Sequence, residues 1–185
     1  MKNLKIFCLF SVMLPLCLFS QGQEQKNIVG FGIGYVPSRE AYVDAPPYIW
    51  LKINASPVFE VFYSRQFQEG RLGSYAEFQS ATLTAADANV SRYNIGLNWI
   101  SQYPKTSLQV ELGGYFGYGF LKADGWDQSL YGTDYGIIVG PAYEKDNFGI
   151  ALHAQFGFGY YTSSGVPDEV DFSMPRYILK VYYKF

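Results

Sequence analysis

Residues 92–99 read Arg92-Tyr93-Asn94-Ile95-Gly96-Leu97-Asn98-Trp99. Tyr93, Ile95, Leu97 and Trp99 share one parity, and Arg92, Asn94, Gly96 and Asn98 share the other. Successive side chains of a strand point to opposite faces, so this period of two describes a strand with one apolar and one polar side. The same alternation recurs on either side of it. Upstream, Val29, Phe31, Ile33 and Tyr35 alternate with Gly30, Gly32 and Gly34. Ile49, Leu51, Ile53, Phe59, Val61 and Tyr63 then share a parity, with Trp50, Lys52, Glu60 and Ser64 on the other. Ala76 and Phe78 alternate with Tyr75, Glu77 and Gln79, the least clear case. Downstream, Val110, Leu112, Phe116 and Tyr118 face Glu111, Gly113 and Gly117. Tyr135, Ile137 and Tyr143 face Asp134, Gly136 and Ala142; Ile150, Leu152 and Phe156 face His153 and Gln155; Leu179, Val181, Tyr183 and Phe185 face Lys180 and Lys184. Eight strands result.

Composition agrees. The chain has 185 residues, 49% hydrophobic and 19% aromatic, with 19 Gly, 17 Tyr and 15 Phe. Charged residues make up 16%, against a norm of about 25%. Disordered chains are poor in aromatics and rich in charge, so disorder is excluded. Gly, Tyr and Phe are mediocre helix formers, which disfavours a helical bundle. A polytopic helical membrane protein needs repeated apolar runs of about 20 residues, and these are missing.

The N-terminus is a separate element. Lys2 and Lys5 precede an uncharged stretch over 6–19, followed by Ser20 and Gly22. This is the pattern of a secretory signal peptide, with cleavage expected after residue 20 or 22. The stretch is too short to be a comfortable membrane anchor. A lipidated Cys17 would need a small residue before it, and Leu16 is bulky. Residues 1–22 are therefore read as the signal and 23–185 as one barrel domain. Cys8 and Cys17 leave with the signal, so no disulfide or thiol chemistry is expected in the mature chain. Lys2 and Lys5 leave too, so 12 basic residues face 16 acidic ones. Nucleic-acid binding has no basic footprint to rest on.

The connections alternate in length. Those at 68–71, 102–105 and 144–147 are short and polar; those at 36–47, 84–90, 121–130 and 162–175 are long. Short turns at one end and long loops at the other describe a transmembrane barrel, with turns in the periplasm and loops outside. The rival is a soluble eight-stranded barrel such as a lipocalin, which hides its apolar face and shows charge to water. Here the polar face is dominated by Gly, which suits the crowded interior of a narrow barrel. The other face carries the Phe, Val, Ile and Leu, with Tyr63, Trp99, Tyr143 and Tyr183 near the turns and Tyr35, Tyr135 and Tyr160 near the loops. Two aromatic girdles are the mark of a membrane barrel. The expected fold is all-β, an eight-stranded antiparallel up-and-down transmembrane β-barrel.

The last nine residues, Tyr177-Ile178-Leu179-Lys180-Val181-Tyr182-Tyr183-Lys184-Phe185, end on an aromatic with outward apolar residues at every second position. They resemble the C-terminal assembly signal of bacterial outer-membrane barrels, carried here by Tyr183 and Phe185. The mature chain as a whole resembles the small eight-stranded barrels of the outer membrane protein A/X type. The resemblance implies insertion by the barrel-assembly machinery, an integral place in the outer membrane among lipid and lipopolysaccharide, and a monomer. No cofactor and no metal is expected.

Three groups of residues could carry function. Inward charges come first: Glu60, Glu77, Glu111, Lys180 and His153 near mid-depth, and Arg92 nearer the loops. Buried charges need partners, so these are read as an interior network, with a gated ion path as the alternative. Second, His153 is the only histidine, so a Ser-His-acid site would have to use it. Outer-membrane lipid A deacylases carry an outward His with a Ser two residues on; here the run is His153-Ala154-Gln155, with His153 inward. Palmitoyl-transferring barrels add an N-terminal amphipathic helix, for which 23–27 is too short. Third, the long loops hold Glu40, Asp44, Asp87, Asp124, Asp127, Asp168, Glu169 and Asp171 against Arg39 and Lys122. Tyr42, Trp126, Asp168, Glu169, Asp171 and Phe172 are candidate recognition residues, since exposed loop aromatics hint at binding more than lipid-facing ones do. The reading favoured is a non-enzymatic barrel presenting its loops for envelope integrity, adhesion or partner recognition. A narrow channel is second and a lipid-modifying enzyme third.

Overall fold

The computed structural model describes residues 26–43, 49–67, 70–83, 88–103, 106–125, 129–162, 169–171 and 173–185. Residues 1–25, which include the expected signal peptide, lie outside them. Eight strands form the wall: β1 (Asn27–Val36), β4 (Ser56–Phe67), β5 (Gly70–Leu83), β6 (Ala88–Tyr103), β7 (Leu108–Ala123), β8 (Leu130–Lys145), β9 (Phe148–Thr162) and β11 (Met174–Lys184). Each pairs antiparallel with its neighbours, and β11 returns to β1 from Tyr177↔Tyr35 to Lys184↔Ile28. The wall is closed, so it leaves no unpaired edge in lipid. The last residue seals the ring: Asn27 and Phe185 exchange both backbone hydrogen bonds at 2.9 Å.

Alternation sorts the two faces. Phe31, Val61, Leu108, Phe116, Ile137, Phe148 and Phe185 stand on the exposed outer face, while Glu60, Glu77, Glu111, His153 and Lys180 are buried inside. A barrel whose exterior is apolar and whose interior is charged is built for a bilayer. On the outside, Phe78, Tyr93, Phe120 and Tyr131 form one aromatic row across four strands, with centroids 4.8, 4.8 and 6.3 Å apart. Such cross-strand pairs fix register. At the turn end, Tyr183 packs between Phe148 and Phe185.

The structure corrects several sequence expectations. The stretch 49–64 is not one strand. It divides into β3 (Ile49–Ile53) and β4, and β3 makes a hairpin with β2 (Arg39–Val43), inside what reads as a loop. Ile53 is buried although Phe59, of the same parity, is exposed. The reason is register. Ile53 pairs with Leu83 and Val58 with Gln79, so five steps on one strand oppose four on the other. This is a β-bulge, and one extra residue exchanges the faces. The 162–175 loop likewise holds β10 (Glu169–Asp171), which pairs with β9 and, through Val170↔Val43, with β2. Strands β6, β7 and β8 run 16 residues each, beyond the roughly 9–11 needed to span. The wall therefore continues past the membrane on the loop side. Turn 144–147 shrinks to Asp146-Asn147, where Asp146 has φ +54°, a left-handed conformation that Asp tolerates. Arg71, expected in a turn, is a buried interior residue of β5.

The interior is filled. At the loop end Val36, Ile53, Ala81, Val90, Leu121, Ala123 and Leu130 form a buried apolar layer. Ile28, Phe62, Tyr75, Tyr115, Ile138 and Tyr182 form a second layer. Inward glycines accommodate these rings: a Cβ on Gly30 would stand 2.6 Å from Phe62 Cζ and 2.7 Å from Tyr182 Cβ.

Candidate functional site

The charged interior is held in three groups. Nearest the loops, two guanidiniums and two carboxylates make a closed quartet. Arg92 Nη2 donates to Glu77 Oε1 at 2.6 Å and to Asp134 Oδ2 at 2.5 Å; Arg176 Nη1 donates to the same two oxygens at 2.6 and 3.0 Å. Asn94 Nδ2 donates to Asp134 Oδ2 at 3.1 Å, and Tyr115 donates to Asp134 Oδ1 at 3.2 Å. The Arg176 guanidinium also lies over the Tyr115 ring, 4.8 Å from its centroid. Beyond the wall, Arg39 on β2 is close enough to feel this group. Burial, followed by the like charges of Arg92 and Arg176, holds its guanidinium below the usual range.

A second group lies toward the turns. Glu111 Oε2 accepts from Arg71 Nη2 at 2.5 Å and stands 2.6 Å from His153 Nε2, while its Oε1 accepts from Gln102 at 3.1 Å. Gln102 also donates to Glu144, which accepts from Tyr182 at 2.6 Å and pairs with Lys184. Arg71 lies 4.7 Å over the Tyr182 ring. Between the groups, Lys180 pairs with Glu60 and lies 5.0 Å over the Phe62 ring. In these ion pairs Arg71, Arg92, Arg176, Lys180 and Lys184 thus oppose Glu60, Glu77, Glu111, Asp134 and Glu144, with Arg39 a further cation beside the loop-end group. Pairing of this kind is what a low-dielectric interior demands.

All six inward residues singled out in the sequence are buried; five are ion-paired, and the His153 ring is within hydrogen-bond reach of Glu111. They do not converge on one point: Glu77 and Arg92 meet near the loops, Glu111 and His153 toward the turns, and Glu60 and Lys180 between. Sequence reading missed Arg71, Asp134, Glu144, Arg176 and Lys184 as members of the network. The signal was parity: Asp134 shares that of Gly136, and Arg176 that of Lys180. Arg71 and Arg176 were obscured because they border turns and loops.

Chemically the arrangement holds charge in place. His153 is fully buried, and its ring reaches Glu111 rather than a hydroxyl. Among the described residues no group of three His, Cys, Asp or Glu is placed to hold a metal ion. Of the loop candidates, Tyr42, Glu169 and Asp171 have their backbones in β2 and β10, and their side chains lie outside what the structure describes; Trp126, Asp168 and Phe172 lie outside the described residues. Tyr183 and Phe185 stand on the outer face, 39% and 61% exposed, beside the β1–β11 junction.

This is the fold of an outer-membrane barrel. Neisserial surface protein A is similar to it over 88% of this chain and 100% of its own, with a TM-score of 0.57 and 12% identity. Ail, the attachment invasion locus protein of Yersinia pestis, covers the same shares in its crystal structure, with a TM-score of 0.44 and 16% identity. Its backbone structure in a phospholipid bilayer nanodisc gives 0.44 and 19%. At such identities the likeness is one of fold. No family model matches the chain, and no curated protein does so either.

Proposed function

We propose that the chain is a non-enzymatic, non-conducting integral protein of the outer membrane, whose sealed barrel carries an extended loop platform for adhesion, partner recognition or envelope integrity. The observation that carries this reading is the filled interior. Any axial path meets the apolar layer of Val36, Ile53, Val90, Leu121 and Leu130, then the Arg92–Glu77–Arg176–Asp134 quartet. Eight strands leave room for side chains and little else. Burial of His153 supports the non-enzymatic part. The platform is supported by β2, β3 and β10, which prolong the sheet and tie the first long loop to the last.

Planar-bilayer recording on the purified chain tests the sealed interior. No steady conductance is expected. Steady conductance abolished by Glu77→Gln or Arg92→Gln would establish the channel reading instead. Turnover of labelled lipid A by purified protein, lost in His153→Ala, would overturn the non-enzymatic reading.

A further inference from the structure

The outer wall is not uniformly studded with large side chains. On β5 two successive outward positions are small, Ser74 and Ala76. Their row-mates are large. Tyr63 and Leu97 flank Ser74 in register, and Val61 and Ile95 flank Ala76. Between the two rows runs a groove of about 590 Å³ that crosses β1, β4, β5, β6 and β7, walled almost entirely by apolar atoms and ending at Phe116. Its floor is the outer backbone surface of glycine-rich wall.

Three features select an occupant. The first is length. Five strands about 4.8 Å apart make the groove about 19 Å long. Half of a hydrocarbon core of about 30 Å is about 15 Å, so an oblique chain confined to one leaflet fits it. The second is direction. At β1 the groove starts at Val29, two residues from the strand's turn end at Asn27; at β7 it reaches Phe116, eight residues from the strand's start at Leu108. It climbs from the membrane surface toward mid-wall. The third is polarity. The surface end is Val29 with its register partner Tyr63, whose hydroxyl donates to Asn27 Oδ1 at 2.8 Å. Arg65 follows on the same face, two residues nearer the turn and half-buried. A second barrel is a poorer fit, because a standard interface takes about 20–30 residues a side and the groove is lined by 14.

We infer that this groove seats one acyl chain of a phospholipid in the turn-side leaflet, with the lipid phosphate at Arg65 and the chain end near Phe116. The groove, larger than the depression of about 340 Å³ beside the β1–β11 junction, surrounds a chain with more wall atoms than the open face does, which is the basis for residence rather than exchange. The inference rests on the barrel's place in a bilayer.

The test is photolabelling of the full mature chain, reconstituted in phosphatidylethanolamine–phosphatidylglycerol vesicles doped with a phospholipid bearing a diazirine at the end of one acyl chain. Flotation with the vesicles and heat-modifiable gel mobility report membrane insertion separately, and failure there would sink the bilayer reading itself. Labels are expected to concentrate on the β6–β7 peptides around Leu97 and Phe116. Ala76→Leu fills the groove with an apolar group, so that concentration should be lost. Ala154→Leu makes the same change on β9, away from the groove, and should label as wild type does. Arg65→Gln should reduce labelling, and a diazirine fatty acid without a phosphate should label the site less. Label spread evenly around the wild-type barrel, or unchanged in Ala76→Leu, overturns the site. Equal labelling by the fatty acid, or no effect of Arg65→Gln, overturns the phospholipid assignment. Barrel-to-barrel crosslinks through Leu97 at high lipid excess would give the groove to a second copy.

Discussion

Arg176 Nη1 lies 2.6 Å from Glu77 Oε1, although the two residues are 99 positions apart in sequence and three strands apart around the wall. With Arg92 and Asp134 they make a ring in which each cation touches both anions. Removing one partner of a buried pair leaves an uncompensated charge, whereas removing both leaves none.

Arg176→Met is therefore expected to destabilise the barrel by about 3–5 kcal/mol. The double variant Arg176→Met with Glu77→Met should cost clearly less than the sum of the single changes. Urea unfolding of the detergent-solubilised barrel, followed by tryptophan fluorescence, measures both. Simple additivity would sink the idea that the quartet acts as a unit.

Glu111 and His153 should not be equivalent. Glu111 serves Arg71, His153 and Gln102, so Glu111→Gln strands the buried Arg71 cation. His153→Ala leaves Glu111 paired with Arg71. The loss for Glu111→Gln is expected at about 3–5 kcal/mol, and for His153→Ala nearer 1–3 kcal/mol. Equal losses would mean that His153, rather than Arg71, is the partner that matters.

Gly157 supports the quartet from the wall. A Cβ there would stand 1.6 Å from the Tyr115 hydroxyl, which donates to Asp134. Gly157→Ala should cost about 1–3 kcal/mol by overpacking. Adding Tyr115→Phe removes the clashing oxygen and should recover stability relative to Gly157→Ala alone. A double variant no more stable than Gly157→Ala would show that the strain lies in the backbone instead.

Phe185 closes the ring through both backbone bonds to Asn27 while its side chain faces outward. Phe185→Ser keeps the backbone and alters only the outer face. In cells the expected outcome is loss of the heat-modifiable form and accumulation of unassembled chain. In vitro, refolding into detergent should proceed nearly as in the wild type. Failure in both settings would make Phe185 a stability residue rather than an assembly signal.

Much of the wall was legible because a strand's two faces follow from parity alone. The eight strands, the apolar exterior and the inward placement of Glu60, Glu77, Arg92, Glu111, His153 and Lys180 all follow from alternation. The bulge after Ile53 was not legible, because parity cannot register a single extra residue opposite a partner strand. Arg71 and Arg176 were missed for a related reason: a polar residue near a turn reads as solvated unless the neighbouring strands are known to continue past it.

The sequence by itself determined that this chain is a closed membrane barrel with short turns at one end and long loops at the other. That information is local and periodic, and each strand repeats it independently. Only the tertiary structure decided which charge meets which. It brought Glu77 to Arg176 and Lys180 to Glu60, gathered an apolar layer toward the loop end, and set Ser74 and Ala76 among larger neighbours. Pairing across the lumen depends on strand tilt and on the stagger between strands, and neither quantity is written in any one segment.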